Sequence, residues 1–445
     1  MMTPALSAFL APSAALAAGV AALLFAGGKR GERALALFFC VFTAAAAAFC
    51  AACGTYGAGE AWQYSALSAF CDISVAALAL LCLPLAAGGD ALSSTGFTLL
   101  AGTGVMCAAR GSNPAFLATA QALAMFALTA LFSGGRERLR AQAAVSWIFP
   151  AVFALALSLF GFSLMRHGGG LYGAGITLLC AGGFCLCGLF PFGLALPAVF
   201  GGAGAVRCAF YAAAVMPLSA IALVFPLSLS GDAAAVRAAA AALGAVSATL
   251  ASLAALREPR PARVVALAVC ASAGWIVCAA AGAESARAAV ALAVAHAAAA
   301  GGLCAALALV SGDDSGGGSP EKMEVFSGLW RLSPGAAFAL AAVLLSNAGA
   351  PFTAGFAARF YSLVSMVRAG TNPLICAALA LDAVLAAALA ARFLRPAFFG
   401  EPQADKNIPS GGAASMVLAA CALAAILPGI VPQLLLYAAG LAARN

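Results

Sequence analysis

Apolar stretches of about twenty residues, the length that crosses the hydrocarbon core of a bilayer, follow one another along nearly the whole chain. Short clusters of charge, glycine or proline separate them. A hydropathy reading gives about fourteen candidate spans, at 4–26, 34–53, 63–87, 91–109, 114–133, 142–165, 171–199, 203–229, 233–256, 264–282, 287–310, 335–367, 373–395 and 412–441. Two of them, the seventh and the twelfth, are long and interrupted: Pro191, Gly193 and Pro197 break one, and Gly349, Pro351 and Gly355 break the other. The breaks sit five spans apart. That placing suggests two halves of similar plan, as in inverted-repeat transporters that build a site near the midplane from discontinuous helices. The expected organisation is spans one to three over 1–90, a first half (spans four to eight) over 91–230, a second half (spans nine to thirteen) over 231–396, and a closing loop and helix over 397–445.

Composition fixes the class. With 64% hydrophobic and 8% charged residues and a mean hydropathy of +1.05, the chain has too few polar groups to cover a water-facing surface. An all-α polytopic membrane protein is expected. The first apolar stretch has no basic residues before it and is longer than a signal-peptide core, so it reads as a retained span. Lys and Arg gather between alternate spans: Lys29, Arg30 and Arg33; Arg136, Arg138 and Arg140; Arg257, Arg260 and Arg263; Lys322 and Arg331; Arg392, Arg395 and Lys406. Other loops carry single charges such as Arg110, Arg166, Arg237, Arg287 and Arg368. The positive-inside rule places the clustered sets in the cytoplasm or mitochondrial matrix, with both termini opposite. The clusters are assigned to topology and lipid headgroups, since they lack aromatic interleaving or a nucleic-acid module.

The polar stretch 311–320 reads as a flexible loop, too small for a cofactor domain. Fifteen cysteines, an odd number spread through apolar segments, do not form a disulfide framework. Cys50 with Cys53, and Cys185 with Cys187, have metal-compatible spacing but lack a second pair nearby, and read as small buried hydrophobes. No nucleotide-binding glycine pattern or catalytic triad is present, and no cofactor is expected in this chain.

Several strings together resemble one family. Gly349, Pro351, Gly355, Phe356, Arg359 and Phe360 fall on G-I-P-P-x-x-G-F-x-x-K-F, with arginine in place of lysine. The segment from Phe326 to Pro334 is similar to G-L-x-R-x-x-P, and that from Phe190 to Phe200 resembles F-P-F-H-x-W-L-P-D-V-Y. Arg263 to Ala266 fall on K-R-L-L-A-Y-S-S, with Gly274 on the glycine that follows. These strings resemble the antiporter-like membrane subunits shared by respiratory complex I, membrane-bound hydrogenases and Mrp-type cation/proton antiporters, especially the subunit-N and Mrp D-type members.

The resemblance implies a chain of ionisable groups for protons, and here this sequence departs. The family's acid in the fifth span falls on Gln121, its lysine in the seventh on Leu186 and its lysine in the eighth on Met216. The histidine and aspartate of the F-P-F-H string fall on Gly193 and Ala198. No charged residue lies between Gly170 and Val206. The second half keeps Arg359 in the broken twelfth span, His296 in the eleventh and Asp382 in the thirteenth, while a lysine that some relatives place after the histidine falls on Ala300.

An ionisable group inside the bilayer is a functional hypothesis by default. Arginine stays protonated, so Arg359 reads as a fixed charge rather than a relay; equally, it snorkels to the interface or pairs with Asp382. His296 is able to titrate near neutrality, although a lone histidine in an alanine-rich helix is more often a satisfied core group. Asp382 is expected to pair with a basic residue of a neighbouring span, and Asp72 to be a helix-end or packing acid. The resemblance implies a non-catalytic membrane-arm subunit of a redox-driven translocase (NADH:quinone oxidoreductase-like, hydrogenase or Mrp-type) in a bacterial plasma membrane or, alternatively, the mitochondrial inner membrane. Its partners would be other membrane-arm subunits, redox subunits indirectly, and lipid. The first half-channel is expected to be inactive, with any path running by His296, Arg359 and Asp382. A stand-alone secondary cation/proton transporter and a purely architectural subunit are the alternatives.

Overall fold

The computed structural model describes Ala18, residues 38–43, 45–46, 56–57 and 63–64, and then 66–82, 98–104, 114–133, 138–167, 171–223, 234–282, 285–311, 322–402 and 412–443. The expected spans 4–26 and 34–53, the pair Cys50 and Cys53, and nearly all of the loop 311–320 therefore lie outside the described residues, apart from a few positions. Tyr56–Gly57 and Gln63–Tyr64 form a short antiparallel pair. All other regular structure among the described residues is helical.

The helices run α1 (Ala66–Cys82), α2 (Pro114–Ser133), α3 (Arg138–His167), α4 (Tyr172–Cys187), α5 (Leu196–Ala203), α6 (Ala205–Phe210), α7 (Met216–Ala222), α8 (Ala234–Arg257), α9 (Pro261–Ala280), α10 (Ser285–Ser311), α11 (Leu329–Leu332), α12 (Pro334–Ala348), α13 (Ala354–Arg368), α14 (Pro373–Phe399), α15 (Ala413–Ile430) and α16 (Pro432–Ala442). Among the described residues eight helical segments are long and apolar enough to cross a membrane, with shorter apolar helices beside them. They do not by themselves make up the about fourteen spans expected from hydropathy. The chain is a multi-pass membrane protein.

Burial separates the helices into centre and rim. Every residue of α9 except Arg263 is buried, as a helix apolar on all sides should be when it lies inside a bundle. It packs on α8, α10 and α5. The approach of α8 to α9 is close because small residues face each other: a Cβ on Gly274 would lie 2.3 Å from the carbonyl oxygen of Gly244. By contrast α3 turns large apolar side chains outward, among them Phe149, Val152 and Phe160.

Two expected spans are more divided than their hydropathy suggests. The eighth, 203–229, consists of α6, a π-helical turn at Tyr211–Val215 and α7, with its last residues outside the described set. The fourteenth, 412–441, is two helices, α15 and α16, which meet at Val431. Pro432 has no N–H to continue α15 and instead opens α16, where a missing first-turn donor costs nothing.

Candidate functional site

Both expected breaks are present, and both start from the same cap. Helix α4 ends at Gly188, in the left-handed region at φ 72°, with Gly188 N–H donating to Cys185 O and Leu189 N–H to Phe184 O. Helix α12 ends at Gly349, φ 77°, with Gly349 N–H donating to Ser346 O and Ala350 N–H to Leu345 O. This paired cap, with glycine supplying the left-handed residue, stops a helix sharply. Proline follows each cap, at Pro191 and Pro351. Chain continuation then needs a second glycine pressed on the helix just ended: a Cβ on Gly193 would lie 2.3 Å from Gly188 O, and one on Gly355 only 1.7 Å from Ser346 O. Pro197 lies in the first turn of α5, beyond the first break.

A helix end leaves carbonyls without partners inside the helix, and the two breaks answer this differently. At the first, Tyr211 Oη donates to Leu186 O at 3.0 Å. Tyr211 sits in a buried aromatic group with Phe132, Trp147 and Phe200, its ring centroid 5.2 Å from that of Trp147. Leu186 and Met216 are buried beside apolar neighbours, and Gln121 Oε1 accepts from Ser158 Oγ at 2.9 Å. The positions that the resemblance assigns to a charge relay are thus filled by neutral, packed side chains.

At the second break the partner is a cation. Arg359 is buried, and its Nη1 donates to Ala348 O at 3.4 Å, where the negative end of the α12 dipole favours positive charge. The guanidinium carbon lies 4.8 Å from the Trp275 ring centre, a cation–π contact. Trp275 Nε1 in turn donates to Asp382 Oδ2 at 2.6 Å, and Ser252 Oγ donates to Asp382 Oδ1 at 2.5 Å. Among the described residues no Lys or Arg lies within ion-pair distance of Asp382. The expectation that Asp382 pairs directly with a basic residue is corrected: one indole stands between the two charges, with its face to Arg359 and its N–H to Asp382. The interfacial placing of Arg359 is likewise corrected by its burial.

His296 joins the site from α10. Its Nε2 lies 3.1 Å from Ala212 O in the π turn, and since a carbonyl only accepts, Nε2 carries the hydrogen. The opposite ring nitrogen, Nδ1, is buried without a partner. His296, Trp275, Ser346, Asn347, Gly355 and Arg359 line a cavity of about 20 Å³, room for roughly one water molecule. Helices α9, α10, α12 and α13 therefore bring together Arg359 and His296, with Asp382 one indole away on α14. Ala300, one turn along α10, is buried. Asp72 is buried in the middle of α1, away from a helix end. Cys185 and Cys187 are buried, and no group of three or more metal-ligating side chains occurs among the described residues.

Sequence reading missed Trp275, Ser252 and the π turn. A tryptophan in an apolar span was the available signal, since a buried indole N–H seeks an acceptor.

Discontinuous helices with buried charges at the break are the arrangement from which transporter-type membrane proteins build their sites. Residues 157–385, just over half of the chain, match the family described as NADH:quinone oxidoreductase/Mrp antiporter, transmembrane, and the chain belongs to it. It is similar to NADH-quinone oxidoreductase subunit N of Methylobacterium nodulans, 36% identical over 140 residues that make up 32% of this chain and 29% of the relative. The subunit N of Parafrankia sp. is 34% identical over 145 residues, 32% of this chain and 27% of the relative. The chain thus spans under a third of the length of these curated relatives. Its fold is similar to a chain of respiratory complex I from Thermus thermophilus with bound aureothin (TM-score 0.85, 21% identity, 98% of this chain and 100% of that one). It is also similar to chains of an archaeal membrane-bound sulfane sulfur reductase (TM-score 0.86, 18% identity, 99% and 96%) and of the Mrp complex from Dietzia sp. (TM-score 0.86, 17% identity, 99% and 97%). Its apolar helices and these bacterial relatives mark it as a multi-pass plasma-membrane protein.

Proposed function

We propose that this chain is an antiporter-like membrane-arm subunit of a multi-subunit translocase of the complex I, membrane-bound reductase or hydrogenase, or Mrp kind. Redox chemistry would reside in partner subunits, and the chain itself would hold no cofactor. Any proton or cation path within it runs through the second half, 231–396, while the first half, 91–230, is closed. The observation that carries this reading is the difference between the breaks: a buried Arg359 and His296 around a shared cavity in one, and a neutral aromatic filling in the other.

In that path Arg359 is a fixed positive charge, because its guanidinium stays protonated. His296 is the residue of the site that can exchange a proton, through Nδ1. Asp382, held by Trp275 and Ser252, offsets the arginine at a distance and keeps the site from carrying an unbalanced buried charge. Arg359→Ala in the intact assembly should lower ions moved per electron, or per exchange cycle, with assembly intact; an unchanged ratio overturns the conduction role. Purification in mild detergent tests the rest. Co-purifying membrane subunits support the reading, whereas a chain that runs alone and transports alone is a secondary transporter. A second reading, a purely architectural subunit, is favoured by the size of the cavity, which holds about one water rather than a file of them. Ordered water continuous across the second half, in an experimental map, excludes it.

A further inference from the structure

The cavity at the second break is small and partly polar. Its volume of about 20 Å³ is enough for one water and too little for a second. A wholly apolar cavity stays dry, whereas one that offers two or more polar groups holds its water firmly. Here Leu292 and Ala299 belong to the apolar wall, and Ser272, His296, Asn347 and Arg359 to the polar one.

One of these groups has a need that the protein does not meet. His296 is 6% exposed, and its Nδ1 is buried without a hydrogen-bond partner. Nε2 carries the ring hydrogen and gives it to Ala212 O at 3.1 Å, so in the neutral ring Nδ1 is an acceptor. A buried acceptor left without a donor is costly. Arg359 has donors to spare: its Nη1 serves Ala348 O at 3.4 Å, while a guanidinium carries several N–H groups. A water suits both because it accepts and donates at once. An alkali cation would be repelled by the guanidinium, and an anion would face the bare lone pair of Nδ1.

We infer that this cavity is a binding site for one ordered water, which donates to His296 Nδ1 and accepts from Arg359. Hydrogen bonds then run one way, from the cation on α13 through the water and the imidazole to the carbonyl in the π turn. A peptide carbonyl accepts a hydrogen bond without taking the proton, so Nε2 keeps its hydrogen, and any proton that the ring takes up enters and leaves at Nδ1. His296 is therefore the end of a chain rather than a link in one. The water site stands whether the second half conducts or is architectural, so a failed transport test leaves it in place.

The chain has two histidines, His167 and His296, and His167 is exposed on α3, which makes the test direct. The full chain, purified with whatever subunits accompany it, is prepared with isotope-labelled histidine in a His167→Gln background, and the His296 signal is the one that His296→Leu removes. At neutral pH the NMR spectrum should show a hydrogen on Nε2, none on Nδ1, and magnetisation transfer from water to the ring at Nδ1. A hydrogen on Nδ1, or no transfer from water, overturns the proposal. Ala299→Val, which fills the cavity with methyl groups, should abolish that transfer and lower the unfolding temperature by about 2 °C or more, because it strands the acceptor. In the His296→Leu background, where no ring nitrogen needs a donor, the same substitution should cost clearly less. An equal cost in both backgrounds is overpacking alone and overturns the proposal; where a filled variant does not fold, the NMR signature of the parent decides.

Discussion

The two broken helices solve one problem with opposite chemistry. Each ends on a glycine-capped turn and restarts beyond a proline, and each leaves a carbonyl that needs a donor. In the first half a tyrosine hydroxyl supplies it from within an aromatic cluster; in the second an arginine does, and brings an indole, an aspartate and a histidine with it. The backbone device is therefore separable from the charge it displays. A discontinuous helix marks a place where an ion site can be built, and the side chains that satisfy its open ends decide whether one is.

The largest expected effect strikes what the breaks share. Gly355→Ala puts a Cβ where Ser346 O already lies, 1.7 Å away, and backbone cannot yield as a side chain end can. A loss of about 3 kcal/mol or more is expected, read as loss of monodisperse protein in detergent; normal yield and thermal stability would show that the second break is looser than described. Next comes the attempt to make the first half resemble the second. Leu186→Lys inserts a charge beneath the buried Tyr211 cluster and should cost about 3 kcal/mol, in line with insertion costs at a helix centre. A variant as stable as the parent, with new ion movement, would mean that the first half is merely uncharged rather than filled. The smallest effect is Tyr211→Phe, which removes the donor to Leu186 O and should cost about 1 kcal/mol while leaving ion movement unchanged. A clear transport defect would break the contrast between the halves.

The sequence made the breaks legible because proline and glycine act locally: Pro191 and Pro351 interrupt apolar runs wherever the rest of the chain goes. Arg359, His296 and Asp382 were legible for a similar reason, as each is conspicuous in an apolar span. Their partners were not. Trp275 and Asp382 are 107 residues apart in sequence, and Ser252 and Asp382 are 130 apart, so which donor meets which acceptor depends on how α8, α9 and α14 pack. The π turn was hidden because its residues, Tyr-Ala-Ala-Ala-Val, suit an ordinary helix equally well. The split at Val431 was readable in principle from Pro432, but an apolar run on both sides concealed it.

Trp275 also governs how this region can diverge. One side chain serves the cation on α13 and the anion on α14, so replacing it disturbs both, and replacing either charge leaves the other with a partner arrangement built for two. Three helices would have to change together before the second half became as neutral as the first. Single substitutions therefore meet resistance from the fold itself, whatever demand transport adds.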